Sequence, residues 1–87
     1  MVSSKTKVVN PLGLHMRPAQ VFVKGVTPYK SSVTVITNGL AINARSIMIL
    51  MAACIKQGTE IEIQCEGPDE EQALQTAVTL VESGLGE

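Results

Sequence analysis

From Thr59 the chain alternates without a break: Ile61, Ile63 and Cys65 fall on one side, Glu60, Glu62, Gln64 and Glu66 on the other. Side chains along a strand point to opposite faces in turn, so this segment predicts a sheet with one dry and one wet face. A sheet of that kind needs helices on its dry side only. At 87 residues the chain has room for one compact domain, residues 1–87, burying only about 60 to 65% of its unfolded surface.

The remaining signals alternate between strand and helix. Lys5 to Val9 reads as an opening strand, stopped by the turn sequence Asn10-Pro11-Leu12-Gly13. From Met16 the spacing is helical: Pro18 suits a first turn, and Ala19, Phe22, Val23 and Val26 recur on one side. Gly25 weakens that helix and Pro28 limits it. Val33–Thr37 and Leu40–Asn43 flank Asn38-Gly39, the dipeptide best suited to the positive φ angles of a tight hairpin. Ser46 is placed as the N-cap of a short apolar helix that ends before Gly58. After Gly67-Pro68, Asp69 offers an N-cap with Gln72 three residues on, and Ala73, Leu74, Ala77, Val78 and Val81 form the stripe of a third helix closed at Gly84. The expected fold class is α+β, ordered β-α-β-β-α-β-α: an open-faced sandwich with a four-stranded antiparallel sheet and three helices on one face.

Composition narrows the function. Seven basic and eight acidic residues nearly cancel, which leaves no electrostatic footprint for nucleic acid or an anionic membrane. The polar start, Met1 to Lys7, does not resemble a secretory signal, and the apolar run Ile47–Ile55 is too short to span a bilayer. Cys54 and Cys65 lack metal or redox spacing and read as reduced thiols filling a core. The expected location is cytoplasmic, with no metal and no cofactor.

Chemistry concentrates in Gly13-Leu14-His15-Met16-Arg17-Pro18, where the chain's one histidine stands at a loop-to-helix boundary. Unpaired amides near Met16, Arg17 and Ala19, together with the positive end of the helix dipole, suit an anion. Arg17 can grip phosphate oxygens through two parallel hydrogen bonds. Gly13 would let the backbone pass close to a bulky ligand. Imidazole is largely unprotonated at neutral pH and needs no separate base to act as a nucleophile. One histidine cannot assemble a hydrolytic triad or an ordinary metal site. A pure binding module remains the alternative, as does a surface or capping role for the histidine.

Taken together, Gly13-Leu14-His15-Met16-Arg17-Pro18-Ala19 resembles the active-site signature of HPr, the histidine-containing phosphocarrier family of the bacterial sugar phosphotransferase system. The resemblance runs the length of the chain and includes Ser46-Ile47-Met48 and the acidic-capped last helix. Met16 stands where the family usually has alanine, and Cys54 where glycine is common. The resemblance implies that His15 takes phosphate on Nδ1 from enzyme I, charged by phosphoenolpyruvate, and passes it to IIA domains of sugar permeases, with Met16, Arg17 and Pro18 around the phosphate. It also implies that Ser46 is phosphorylated by an ATP-dependent kinase, giving a corepressor for a catabolite-control transcription factor. Phosphate at a helix start adds charge without unfolding the segment, so it is expected to slow charging of His15.

Ile47 to Met51 is apolar around most of its circumference, more than a short helix on a one-sided sheet can bury. Ile47, Met48 and Met51 are therefore candidates for partner docking, with Lys24 and Arg45 as basic contacts at the rim.

Overall fold

A computed structural model describes residues 1–11 and 13–85; Leu12 of the predicted turn lies outside the described residues. The elements are β1 (Val2–Lys7), α1 (Met16–Val26), β2 (Ser32–Thr37), β3 (Leu40–Asn43), α2 (Ile47–Ala52), β4 (Glu60–Glu66) and α3 (Glu70–Glu82). They occur in the predicted order and form one four-stranded sheet arranged β1-β4-β2-β3, every pairing antiparallel. Ile61, Ile63 and Cys65 are buried, as the alternation requires. Phe22, Val26, Leu50, Ala73, Ala77 and Val81 of the three helices meet them, joined by Val33, Val35 and Ile42. On the uncovered face Lys5 pairs across from Glu62 and Lys7 from Glu60.

The first strand lies earlier than the Lys5–Val9 expected. Its backbone runs along β4 from Val2↔Cys65 to Lys7↔Glu60, and inward-facing Ser4 and Thr6 carry no apolar signal to mark it. The hairpin falls as predicted, with Asn38 and Gly39 at φ 50° and 78°, the signs its tight turn requires. Gly25 has a packing role: a Cβ there would lie 2.3 Å from Cδ1 of Leu80, so the missing side chain lets α1 and α3 close on each other. At the end of α3, the Leu85 amide donates to the Leu80 carbonyl (3.0 Å) and the Gly84 amide to that of Val81 (3.2 Å), a Schellman closure that also buries Leu85.

The start of α3 departs from expectation. Asp69 occupies the N-cap but makes no capping bond, and Gln72 is exposed. Its carboxylate instead accepts the amides of Lys30 and Ser31 (both 2.9 Å) and the Ser31 hydroxyl, while its own amide donates to Ser31 Oγ (3.2 Å). Glu70 supplies the reach-back, accepting the Gly67 amide at 3.2 Å, and pairs with the N-terminal amine. Asp69 thereby pins the loop between α1 and β2 to α3. No helix among the described residues is long and apolar enough to cross a membrane.

These bonds hold the carboxyls of Asp69, chiefly through the Ser31 hydroxyl, and of Glu70, chiefly through the Gly67 amide, below their usual range. A carboxyl depressed in the folded state confers stability that is full above its unfolded pKa, about 4, and fades as pH falls through the folded value. Urea titrations should therefore show stability dropping below about pH 4, with a shallower acid loss in Asp69→Asn. An unchanged acid profile in that variant would contradict this role.

Candidate functional site

The site is built where the turn after β1 meets the loop after α2. Asn10 is buried and its Nδ2 donates to the Gly13 carbonyl (2.6 Å), while the Gly13 amide returns a bond to the Asn10 carbonyl (3.1 Å). Gly13 has φ 66°, and a Cβ on it would sit 2.3 Å from the Ile55 carbonyl oxygen and 2.8 Å from Lys56 Cα. The close approach it permits is thus to the protein's own backbone, and not the approach to a ligand inferred from sequence. One residue on, the Leu14 amide donates to that same Ile55 carbonyl at 2.9 Å, and its side chain is buried. With Leu14 turned in, His15 faces solvent at the N-cap of α1 (φ −76°, ψ −175°), its side chain making no capping bond.

The His15 carbonyl takes the first helical bond, from the Ala19 amide at 2.8 Å. Ala19 therefore has no spare donor, contrary to expectation. The amides of Met16 and Arg17 occupy the first two helical positions, which have no intrahelical acceptor. Arg17 and Met16 are exposed, whereas Pro18 is buried and lacks an amide, so Pro18 shapes the turn by packing and offers phosphate nothing directly. His15 borders a concavity of about 370 Å³ shared with Leu14, Met51, Cys54, Ile55 and Lys56. Among the described residues no three His, Cys, Asp or Glu side chains gather to hold a metal ion.

Ser46 stands at the N-cap of α2 with its carbonyl accepting the Leu50 amide (3.0 Å), but its hydroxyl makes no capping bond. Along α2, Met48 is 82% exposed, Ile49 53% exposed and Leu50 fully buried, with Ile47 and Met51 half-buried between. Ile49 was missed because an all-apolar helix carries no periodic signal of which side faces the sheet. Lys24 is exposed in the last turn of α1. Arg45 is half-buried, and its Nη2 donates to the carbonyls of Tyr29 (2.6 Å), Ser31 (3.0 Å) and Val26 (3.4 Å), so it stabilises the end of α1 from inside the fold. The cysteines divide: Cys65 fills the core as expected, its thiol pushed up by burial and then by Glu70 and Asp69, while Cys54 is exposed on the rim of the concavity.

Residues 2–83 match the family model PTS-HPr, described as the PTS HPr component phosphorylation site. The chain belongs to the HPr family. It is 39% identical to the phosphocarrier protein HPr of Lysinibacillus sphaericus over the full length of both. It is 34% identical to the HPr of Neisseria meningitidis serogroup A, covering all of this chain and 98% of that one. Among solved structures, HPr from Thermoanaerobacter tengcongensis superimposes with a TM-score of 0.95 at 37% identity, over 100% of this chain and 98% of the other. The Bacillus subtilis catabolite repression protein Crh, solved as a domain-swapped dimer, gives 0.78 at 36% identity and 97% coverage of each. The sequence resemblance to HPr is thereby established, and with it a phosphocarrier component of the phosphotransferase system.

The HPr frame also gives meaning to position 54. Cys54 has φ 54°, in the left-handed region that glycine occupies without cost, so the glycine expected there from the sequence resemblance would answer to the backbone rather than to packing. At Gly13 both constraints coincide, a positive φ and a neighbouring backbone. Gly13→Ala should therefore destabilise the protein by about 3 kcal/mol in urea unfolding. A loss under about 1 kcal/mol would show that the two loops can part more easily than their contacts imply.

Proposed function

We propose that this HPr-family chain carries its phosphoryl group on Nδ1 of His15, accepting it from enzyme I and passing it to IIA domains of sugar permeases in the cytoplasm. The observation that supports this most directly is the placement of His15 in solvent at the head of α1, next to Arg17 and the first two helical amides. On charging, the Nδ1 lone pair forms the new phosphorus–nitrogen bond as the donor's bond to phosphorus breaks, the released electron pair staying on the donor atom. The guanidinium of Arg17 and the amides of Met16 and Arg17 offset the phosphoryl charge, and Pro18 fixes the turn that presents them. The group enters and leaves by one nitrogen, so the protein is a carrier rather than a free-standing catalyst and requires no cofactor.

Ser46 is the second modification site in this reading. Its hydroxyl is not spent on a capping bond, and a relative of similar fold is named for catabolite repression. Phosphate there would sit at the start of α2, beside exposed Met48 and Ile49, and would alter partner recognition more than shape. The partners on this side are a serine kinase with its phosphorylase and a catabolite-control transcription factor, with no direct contact to nucleic acid. Met48, with half-buried Ile47 and Met51, forms the docking surface, to which Ile49 is added; Lys24 supplies its basic rim, and Arg45 acts there through the backbone it holds.

Incubation with enzyme I and labelled phosphoenolpyruvate should give acid-labile, alkali-stable label that is absent from His15→Ala. Acid-stable label, or acid-labile label persisting in His15→Ala, would contradict the assignment. Ser46→Asp should be charged more slowly by enzyme I in stopped-time labelling, and equal rates would argue against the regulatory reading.

A further inference from the structure

We propose that Lys56 is a second phosphoryl-binding residue, approaching the group on His15 from the loop between α2 and β4 while Arg17 approaches from α1. This rests on His15 as the carrier. Lys56 and His15 border the same concavity, whose other walls, Leu14, Met51, Cys54 and Ile55, carry no formal charge. The loop that holds Lys56 is fixed against the His15 segment at several points. Leu14 donates to the Ile55 carbonyl at 2.9 Å, and the backbones of Gly13 and Lys56 touch closely enough that a Cβ on Gly13 would stand 2.8 Å from Lys56 Cα.

The loop is also tied internally. The Lys56 amide donates to Thr59 Oγ1 (3.2 Å), the Thr59 amide returns to the Lys56 carbonyl (3.1 Å), and the Gly58 amide donates to the Val8 carbonyl (2.7 Å). Gln57 Nε2 adds a bond to the Val9 carbonyl at 3.0 Å. The Cα of Lys56 is thus held in place two residues across from His15, and its flexible four-carbon stem leaves the ammonium free to follow an anion. Its charge is not used elsewhere: among the described residues the ion pair present joins the N-terminal amine to Glu70. Lys56 is exposed, and the unphosphorylated His15 site gives its ammonium no anion to meet, so the interaction belongs to the phosphorylated form alone.

A cation that touches the phosphoryl group stabilises the charged protein and shifts the transfer equilibrium. One that only guides an incoming partner changes forward and reverse rates together and leaves the equilibrium where it was. Phosphorylated enzyme I, freed of phosphoenolpyruvate, should be mixed in equal amount with wild type, Lys56→Gln and Lys56→Arg, and the distribution of label measured. Lys56→Gln should lower the equilibrium constant about two- to fivefold, the size of an exposed ion pair, with the deficit shrinking at high salt and Lys56→Arg close to wild type. Equal constants in wild type and Lys56→Gln, with wild type labelled normally, would overturn this role and leave His15 as carrier intact. Wild type that takes no acid-labile label would overturn both. Equal urea midpoints would establish that the variants remain folded.

Discussion

The hydrogen bond from the Leu14 amide to the Ile55 carbonyl is the contact on which the site depends. It joins two loops far apart in sequence, and it can form only because Gly13, at positive φ and without a Cβ, lets one backbone lie against the other. Turning Leu14 into the core forces His15 outward at the moment the chain enters α1. The imidazole is therefore displayed by backbone geometry, and among the described residues no side-chain hydrogen bond holds it. A carrier benefits from that arrangement, since a group that must be taken up and surrendered is poorly served by strong bonds to the unphosphorylated imidazole.

A second set of contacts keeps α1 itself in place. The segment Tyr29–Ser31, between α1 and β2, has its amides held by the Asp69 carboxylate and its carbonyls held by Arg45. The Tyr29 hydroxyl meets that of Thr76 on α3. Charged partners on both sides of a short loop fix the carboxyl end of α1, while Leu14 and Pro18 fix its amino end. Arg45 directly precedes Ser46, so the residue that steadies α1 adjoins the start of α2, and the two halves of the proposed functional surface share one internal scaffold.

Much of this was legible in the residues. Periodicity placed α1 and α3, the Ser46 cap before an apolar run placed α2, Asn38-Gly39 placed the hairpin, and the clean alternation of β4 predicted the one-sided sheet. The strand β1 was misplaced because an edge strand needs only Val2 and two small hydroxyl residues on its inner side. Polar partners were less legible than apolar patterns: Asp69 looked like a cap for its own helix but bonds a loop some forty residues away, and Arg45 looked like a surface cation but is drawn in by three carbonyls. Lys56 carried no local signal, because its nearness to His15 arises only when the two loops meet. The glycines were legible as constraints but not as to their cause, which at Gly13 and Gly25 proved to be a neighbouring segment of the same chain.

The central claim is that the cargo sits on one nitrogen at the head of α1. Nitrogen-15 and phosphorus-31 NMR of the uniformly labelled protein, charged by enzyme I and phosphoenolpyruvate, tests it most directly. A phosphorus–nitrogen coupling to Nδ1 of His15, with the Ser46 signals unmoved in chemistry, is the predicted result. Phosphorus bonded to oxygen, or charging with no change at the imidazole nitrogens, would contradict it.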